Sequence, residues 1–412
     1  SGGTGGTGSA GVENQGDTNE TTITSTGSIT RSGANGGGVV NVGHSNIVKL
    51  YGNITLASKD SAHAIINQGG SNKTTIFSEG TITSSGKWGY GVYNLFGNSN
   101  TTVMSGSITT GGEKGFGIYN LGDTNSTTMS GSITTSGEDG YGIYNNGDTN
   151  KTTMSGSITT SEVNGYGIYN NGDTNTTEMS GSITTTGTGA FGILNQGDTN
   201  TTEMSGSITT SGVNGYGIYN YGDTNITTIS GNITTSGEGS YGIVNQGDSN
   251  TTEMSGSVTT TGAKGLGIFN YGSNNSVTIS GTVSTTNSIY GALVNRYGSG
   301  NSFTLNEGAT IIGDITARVD GINNKLTLNL GQDKTYAYSV GGKGVGTGGG
   351  QWTYTDQDGR TPVISTNGTS CADETDVTVC NLVTAVGVGF ASNAEVQNEL
   401  SHLNNSAVVN SL

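Results

Sequence analysis

The chain has 412 residues, of which 75 are glycine and one is proline; 30% are hydrophobic and 11% are charged. Ordinary globular domains contain roughly 45–50% apolar and 25% charged residues, so this composition excludes a conventional compact enzyme core and a helix-rich fold. The 14 Lys and Arg against 30 Asp and Glu give a net charge of −16, which excludes nucleic acid and anionic lipid as electrostatic partners.

The first residues, SGGTGGTGSAG, lack the basic segment and the apolar stretch of a signal peptide. We therefore expect that any such signal has been removed. No apolar run reaches the roughly 18 residues of a membrane helix, because Thr and Gly interrupt the longest one at residues 382–391. The sequence predicts no membrane-spanning helix.

A phrase close to YGIYNNGDTN recurs through residues 1–300. Its first Asn returns every 26 or 27 residues at the start and every 25 residues from Asn120 onward, a regularity that is typical of repeat architectures. The recurring residues are Asn14, Asn41, Asn67, Asn94, Asn120, Asn145, Asn170, Asn195, Asn220, Asn245, Asn270 and Asn295.

Each repeat contains three short pieces with a period of two residues. In the repeat 166–190 these pieces are 166–170, 176–180 and 182–185, and a Gly/Asp/Asn-rich turn at 171–175 separates the first two. Alternation with a period of two indicates β-strands that turn one face toward a core. Each repeat therefore supplies three strands of about five residues.

The apolar positions of the three pieces are Ile168, Met179 and Ile183, with a Gly corner at Gly181, and their equivalents recur in the other repeats. Three strands, three corners and a 25-residue period predict an all-β fold, a parallel β-helix that we expect to be right-handed. At roughly 4.8 Å per coil, twelve coils would form a rod about 58 Å long.

The 25-residue repeat ends after Asn295, and the chain is therefore predicted to consist of three segments. Residues 1–300 form the repetitive coils, residues 301–370 form non-repetitive coils that cap the rod, and residues 371–412 form a tail. In an exported protein, Cys371 and Cys380 are typical of one small disulfide loop. Apolar Val396, Leu400 and Leu403, spaced at i, i+4 and i+7, predict a short helix at 393–403.

The Gly/Thr/Asn-rich coils, the segment 309–354 (ATIIGDITARVDGINNKLTLNLG through QWTY) and the terminal NNSAVVNSL resemble the passenger domain of a bacterial autotransporter (type V secretion). The resemblance implies export to the bacterial outer-membrane surface and an adhesive role. It also implies a translocator barrel, absent from this chain, as the only connection to the membrane. A closely spaced Cys pair fits that family.

An acidic column follows the turn of successive repeats, beginning with Asp17. Carboxylates about 4.8 Å apart repel each other by about 0.9 kcal/mol in water, so the column predicts a compensating partner. Calcium between neighbouring carboxylates is one solution, and a hydrogen bond to a backbone N–H in the same turn is the other. The column comprises Asp123, Asp148, Asp173, Asp198, Asp223 and Asp248.

Aromatic residues precede the recurring Asn and have the opposite parity to the Ile row, so we expect them on the outer surface. They could stack on sugars or on another protein, or cover one another and the adjacent Gly row. The candidates for ligand binding are Tyr93, Tyr119, Tyr144, Tyr169, Tyr219 and Phe269. The recurring Asn residues themselves predict a structural column of hydrogen-bonded amides.

Outward hydroxyls mark the third piece of each repeat. A flat array of this kind resembles the Thr arrays of ice-binding β-solenoids and would also accept O-glycans, whereas Thr is in any case a common strand residue. The pairs are Ser107/Thr109, Ser132/Thr134, Ser157/Thr159, Ser182/Thr184 and Ser207/Thr209. Asn-x-Thr motifs at Asn125, Asn150, Asn175 and Asn200 would stay mostly unused in a bacterium.

The sequence predicts no catalytic centre. The three histidines, His44, His63 and His402, have no nucleophile or carboxylate at an interpretable spacing, and near-identical coils provide a repeated surface instead of one pocket. The GxGxxG string at 344–349 is not followed by a helical pattern.

We therefore expect a surface adhesin rod that binds glycans, host or neighbouring cells through many weak contacts and that self-associates into aggregates or filaments. Two alternatives are an ice- or surface-binding hydroxyl array and a β-helical polysaccharide enzyme. No cofactor is expected beyond calcium. Specificity is assigned to the variable loops at 112–114, 137–139 and 162–164.

Overall fold

The sequence folds into strands throughout the part of the chain that the computed structural model describes. No helix occurs within these residues. For the strands after residue 329 only the backbone is described. The described residues are 10–33, 35–58, 60–286, 288, 291–317, 323–329, 335–342, 352–355, 363–371 and 378–386.

Each coil of residues 10–312 contributes one strand to each of three sheets. Sheet 1 contains Ala10–Gln15, Gly37–Val42, His63–Gln68, Val92–Leu95, Ile118–Leu121, Ile143–Asn146, Ile168–Asn171, Ile193–Gln196, Ile218–Tyr221, Tyr241–Gln246, Leu266–Tyr271, Leu293–Tyr297, Ile315–Ala317, Thr335–Gly342, Thr378–Val386 and Val363–Cys371. Sheet 2 contains Glu20–Ile23, Ile47–Leu50, Lys73–Ile76, Thr101–Met104, Ser126–Met129, Lys151–Met154, Thr176–Met179, Thr201–Met204, Ile226–Ile229, Thr251–Met254, Ser276–Ile279, Ser302–Leu305, Asn324–Leu328 and Trp352–Thr355. Sheet 3 contains Ser28–Arg31, Asn53–Leu56, Thr81–Ser84, Ser107–Thr110, Ser132–Thr135, Ser157–Thr160, Ser182–Thr185, Ser207–Thr210, Asn232–Thr235, Ser257–Thr260, Thr282–Thr285 and Thr310–Ile312.

Neighbouring strands pair in parallel, and each residue lies beside its equivalent in the next coil. Ile168, for example, pairs with Ile143 on one side and with Ile193 on the other. This register confirms the predicted parallel β-helix of about 25-residue coils. The strands of the middle coils have four residues instead of the predicted five, and the first one begins at Ile168 instead of residue 166. Intercoil hydrogen bonding nevertheless extends outside the strand, because the Gly167 amide donates to the Phe191 carbonyl.

The core consists of columns of identical side chains. Ile168, Met179 and Ile183 are at most 2% exposed, as are nearly all of their equivalents in other coils. A few apolar side chains per coil are enough to form this core, because each one packs against its copies above and below. The low hydrophobic content of the whole chain follows from this packing. At the corner between sheets 2 and 3, a Cβ on Gly181 would lie 2.0 Å from the Gly156 carbonyl oxygen, so only glycine fits.

The three sheets continue past the end of the repetitive coils. Ser302–Leu305, Thr310–Ile312 and Ile315–Ala317 each pair in parallel with the preceding coil, and the last two strands of sheet 1 are antiparallel. The predicted helix at 393–403 and the terminal segment 404–412 lie outside the described residues. So do the side chains of Cys371 and Cys380, and with them the predicted disulfide.

Candidate functional site

Two columns of aromatic rings cover the outer surface of sheet 1. In the first aromatic column, successive rings lie 4.7–4.9 Å apart between centroids and within 10° of parallel. It comprises Tyr90, Phe116, Tyr141, Tyr166, Phe191, Tyr216 and Tyr241. The second aromatic column is the predicted one, and its rings from Tyr93 to Tyr169 stack at 4.7–5.0 Å. The second column has the outward orientation that the sequence predicted, whereas the first column was not predicted.

The two columns pack against each other edge to face. Centroids of rings in different columns lie 5.1–5.7 Å apart with interplanar angles of 80–88°. Such contacts leave the Tyr rings of the two columns from Tyr93 onward half-buried, whereas Tyr90 and Phe269 are only 5% and 7% exposed. Most of the predicted rings therefore cover one another, which was one of the two expected roles, and offer a ligand their edges more than their faces.

Burial of the aromatic columns also raises the pKa of their tyrosine hydroxyl groups. It raises the pKa of Tyr93 and of Tyr216 to about 12, because the phenolate would lose its hydration. Burial raises the pKa of Tyr119 as well, although the Asn146 amide that donates to its oxygen at 3.2 Å opposes the shift. These hydroxyls are therefore neutral at physiological pH.

Three other tyrosines of sheet 1 expose much more of their rings. Tyr221, Tyr271 and Tyr297 are 46%, 40% and 36% exposed, and all three occupy the last position of their strand. Other repetitive coils place Asn, Gln, Leu or Val at this position. Sequence analysis missed these residues because it followed only the column before the recurring Asn. A comparison of the repeats position by position would have found them.

The acidic column is held by backbone amides of the neighbouring coil. Oδ1 of Asp173 accepts a hydrogen bond of 2.8 Å from the Asp198 amide, and the same bond recurs at 2.7–2.9 Å along the column. One of the two sequence-based expectations was a backbone N–H partner in the same turn. The structure instead places that N–H one coil further along the chain. Among the described residues no group of three or more His, Cys, Asp or Glu is arranged to hold a metal ion, and the calcium hypothesis stays a prediction.

Two columns of asparagine are buried inside the rod. The predicted structural role of the first column is confirmed. Nδ2 of Asn170 donates to Oδ1 of Asn195 at 2.8 Å, and the same bond links the other coils. A second asparagine column runs through Asn150, Asn175 and their equivalents, in which Oδ1 of Asn175 accepts the Asn150 amide at 2.8 Å. These are the Asn residues of the Asn-x-Thr motifs. Their side chains are fully buried, so the folded coils do not present them to a glycosyltransferase.

The outer face of sheet 3 is a regular array of hydroxyl groups. Ser182 and Thr184 point outward, whereas Ile183 and Thr185 are buried. Ser182 pairs with Ser157 and Ser207 of the adjacent coils, so each hydroxyl lies beside its own copy. The predicted outward array is therefore present.

The outer face of sheet 2 carries a shallow acidic groove of about 340 Å³. Glu178 and Glu203 of adjacent coils lie in it, together with Thr153 and Thr228. A hydrogen bond from Lys151 lowers the pKa of Glu178 and holds that carboxylate on the surface. The groove therefore provides carboxylate and hydroxyl groups that can accept hydrogen bonds.

Histidine plays a structural part in the described residues. Nδ1 of His44 accepts the Gly70 amide at 3.1 Å, and Nδ1 of His63 accepts the Tyr90 amide at 3.3 Å. The His63 ring also stacks on the Tyr90 ring with centroids 4.5 Å apart. Burial lowers the pKa of His63 to about 4. His402 lies outside the described residues.

The variable loops differ in chemistry from coil to coil, as expected. In the loop 112–114, Lys114 lies over the Trp88 ring at 4.8 Å and Glu113 pairs with Lys87 at 2.9 Å. The loop 137–139 places Asp139 within 3.1 Å of the Asn164 amide of the next coil. In the loop 162–164, Val163 is 40% exposed. The loops therefore form a mixed surface on an otherwise repeated frame.

Comparisons with known proteins add no family assignment. The chain matches no protein-family model, no curated protein and no solved structure. Within the described residues, no helix has the length and apolar character needed to cross a membrane.

Proposed function

We propose that this protein is an adhesive rod on a bacterial surface, the passenger of an autotransporter-like secretion system. One observation carries the proposal: side chains of the same type recur in parallel register along sheets of 12 or more strands. A surface of this kind has no single pocket but offers one contact many times. Its ligands are glycans or other molecules that themselves repeat on a cell.

Multivalent contact suits such a frame. When several weak contacts are linked, each later contact forms at a high effective concentration, so that avidity exceeds single-site affinity by about 10²–10⁴-fold. The core columns keep the contacts at fixed spacing, which avoids the entropy cost of ordering them at binding. The net charge of −16 keeps the rods soluble and favours ligands that are not strongly anionic along their whole length.

The test uses beads coated with the purified chain at several densities, allowed to settle on glycan-coated surfaces and on host and bacterial cells. The proposal predicts adhesion that rises steeply with coating density and that soluble chain blocks only at high concentration. Beads coated with the heat-unfolded chain are the control. Equal adhesion by both coatings, or no adhesion and no clumping on any surface, would overturn the proposal.

A second candidate function is ordering of ice or a mineral surface by sheet 3. The observation that favours it is the double row of outward Ser and Thr hydroxyls, typified by Ser182 and Thr184, on parallel strands without a register shift. Thermal hysteresis of the purified chain tests it directly. Activity that falls in a Thr159→Lys/Thr209→Lys variant would support this candidate, and a chain without hysteresis would eliminate it.

A further inference from the structure

One bulge interrupts the parallel register of sheet 1 between the last repetitive coils. The pairing runs Asn270 with Asn295 and then Tyr271 with Tyr297, so Arg296 is an extra residue opposite the partner strand. A bulge re-aims a side chain and is often found beside a functional site. Here it inserts a cation while keeping Tyr297 aligned with Tyr271.

The acidic column ends two coils before the coil that contains this arginine. Its last member is Asp248, and the next two coils have Ser273 and Ser299 at the same corner. Arg296 forms no ion pair with the described residues, and its guanidinium carbon lies 5.2 Å from the centroid of the Tyr297 ring. This part of sheet 1 therefore combines a positive charge that has no ion pair among the described residues with a corner that lacks carboxylates.

Exposed rings lie in line with the arginine. Tyr271 and Tyr297 meet at 4.6 Å between centroids with an interplanar angle of 61°, and Tyr221 occupies the same strand position two coils earlier. Between them lies Gln246, whose Oε1 accepts the Tyr219 hydroxyl. Its Nε2 group makes no hydrogen bond within the described residues. These residues together offer a ligand the tyrosine rings, the Nε2 donor of Gln246 and the guanidinium of Arg296.

We propose that Tyr221, Tyr271, Tyr297 and Arg296 form a binding site for a glycan that carries a carboxylate sugar. The inference rests on the proposed adhesive function and specifies one of its ligands. The tyrosine rings stack on the apolar faces of successive sugars, the Gln246 amide donates to a hydroxyl, and Arg296 pairs with the carboxylate. An acidic peptide fits less well, because three rings at the same strand position of nearby coils suit a ligand that presents a flat unit more than once.

The experiment measures binding of the whole chain to an immobilised xylo-oligosaccharide that carries one glucuronate and to the same oligosaccharide after reduction of its carboxyl group. We expect the reduced oligomer to bind about 10-fold more weakly, because a charge-assisted bond to Arg296 is lost. Arg296→Gln should weaken binding of the acidic oligosaccharide by a similar factor and remove the preference for it over the reduced form. Tyr271→Ala should weaken binding of both oligomers.

The matched control is Lys151→Gln, which removes one positive charge from sheet 2, away from the site; melting curves verify that all variants fold. Equal binding of the two oligomers, or an Arg296→Gln variant that keeps the preference, overturns the inference. A poly-glutamate peptide that binds as tightly as the acidic oligosaccharide also overturns the inference. Bead adhesion that survives in Arg296→Gln would show that the rod is adhesive through other coils, so the two proposals fail separately.

Discussion

Nδ2 of Asn170 donates a hydrogen bond of 2.8 Å to Oδ1 of Asn195, the equivalent residue of the next coil. Its second N–H donates to Oγ1 of Thr177 at 3.1 Å, and its own Oδ1 accepts from Asn145. Each amide is therefore satisfied in a fully buried position only because its copies lie directly above and below it. The strict repetition of this Asn is a hydrogen-bonding requirement.

Replacing one member of this column should be costly. Asn170→Leu leaves the Asn145 donor and the Asn195 acceptor without partners, and each orphaned buried group costs about 1–3 kcal/mol. We expect a loss of about 2–5 kcal/mol in the free energy of unfolding by urea. Asn171→Ala is the control, because that side chain is half-buried on the outside of the same strand. A Leu variant as stable as the control would contradict this account.

Much of the fold could be predicted because a strict repeat restricts how successive segments can pack against each other. A 25-residue period with Ile168, Met179 and Ile183 at fixed positions requires that copies stack, and stacking determines which side chains form each core column. The same logic predicted the Asn170 column. It could not identify the role of Asn175, because a buried amide and an exposed Asn-x-Thr motif look the same in sequence.

The candidate site was harder to predict because ring exposure depends on contacts between coils. Parity correctly placed Tyr144 on the outside, but only the edge-to-face packing against Tyr141 shows how little of its face remains free. The bulge at Arg296 has a related cause. One inserted residue changes the register of pairing, and the sequence does not say whether the extra residue enlarges the turn or the strand.

The turn between sheets 1 and 2 contains a β-branched residue in the left-handed region. Thr174 has a φ of 57°, an arrangement that costs an L-residue roughly 1–2 kcal/mol, partly offset by its hydroxyl bond of 2.7 Å to the Asp173 carbonyl. Asn274 occupies the equivalent position with a φ of 59°. Because Asn tolerates this region better, Thr174→Asn should raise the free energy of unfolding by about 0.5–1 kcal/mol.

Thr174→Val is the matched control for that substitution. It keeps the branched Cβ but removes the hydroxyl, so it should lower the free energy of unfolding by about 1 kcal/mol. Urea titrations of the three proteins give both values. A Val variant that is more stable than the Asn variant would show that backbone strain at this position is not the controlling factor.

The acidic column makes a prediction about salt. Asp173 has a carboxylate neighbour on each side, and each pair costs about 0.9 kcal/mol in water at a spacing of roughly 4.8 Å. Asp173→Asn keeps the acceptor for the Asp198 amide and removes both repulsions. We expect a stabilisation of about 1 kcal/mol at low salt, and a smaller one at high salt because of screening.

Thermal melting at two salt concentrations measures this effect, with Glu203→Gln as a control for loss of one negative charge elsewhere. Melting of the parent chain with a chelator belongs to the same experiment. An unchanged midpoint would agree with compensation by backbone amides, whereas a clear fall in the midpoint would show that calcium occupies the column. Destabilisation by Asp173→Asn at low salt would contradict the repulsion argument.

His63 makes the stability of the rod depend on pH. Its pKa is about 4 in the folded protein against an ordinary value of 6.5, because the ring is buried against Tyr90 and Tyr93. The unfolded chain therefore binds the proton more tightly than the folded one. The contribution of His63 is fully present above pH 6.5 and is lost progressively as the pH falls toward 4, by about 3 kcal/mol at most.

Urea unfolding between pH 7.5 and pH 5 tests this dependence in a range where most carboxylates stay ionised. His63→Phe keeps a ring against Tyr90 but cannot accept a proton, so its free energy of unfolding should change much less over the same range. The variant starts from a lower value at pH 7.5, because the Tyr90 amide loses its acceptor Nδ1. If both proteins lost stability in parallel on acidification, the titrating group would have to lie elsewhere in the chain.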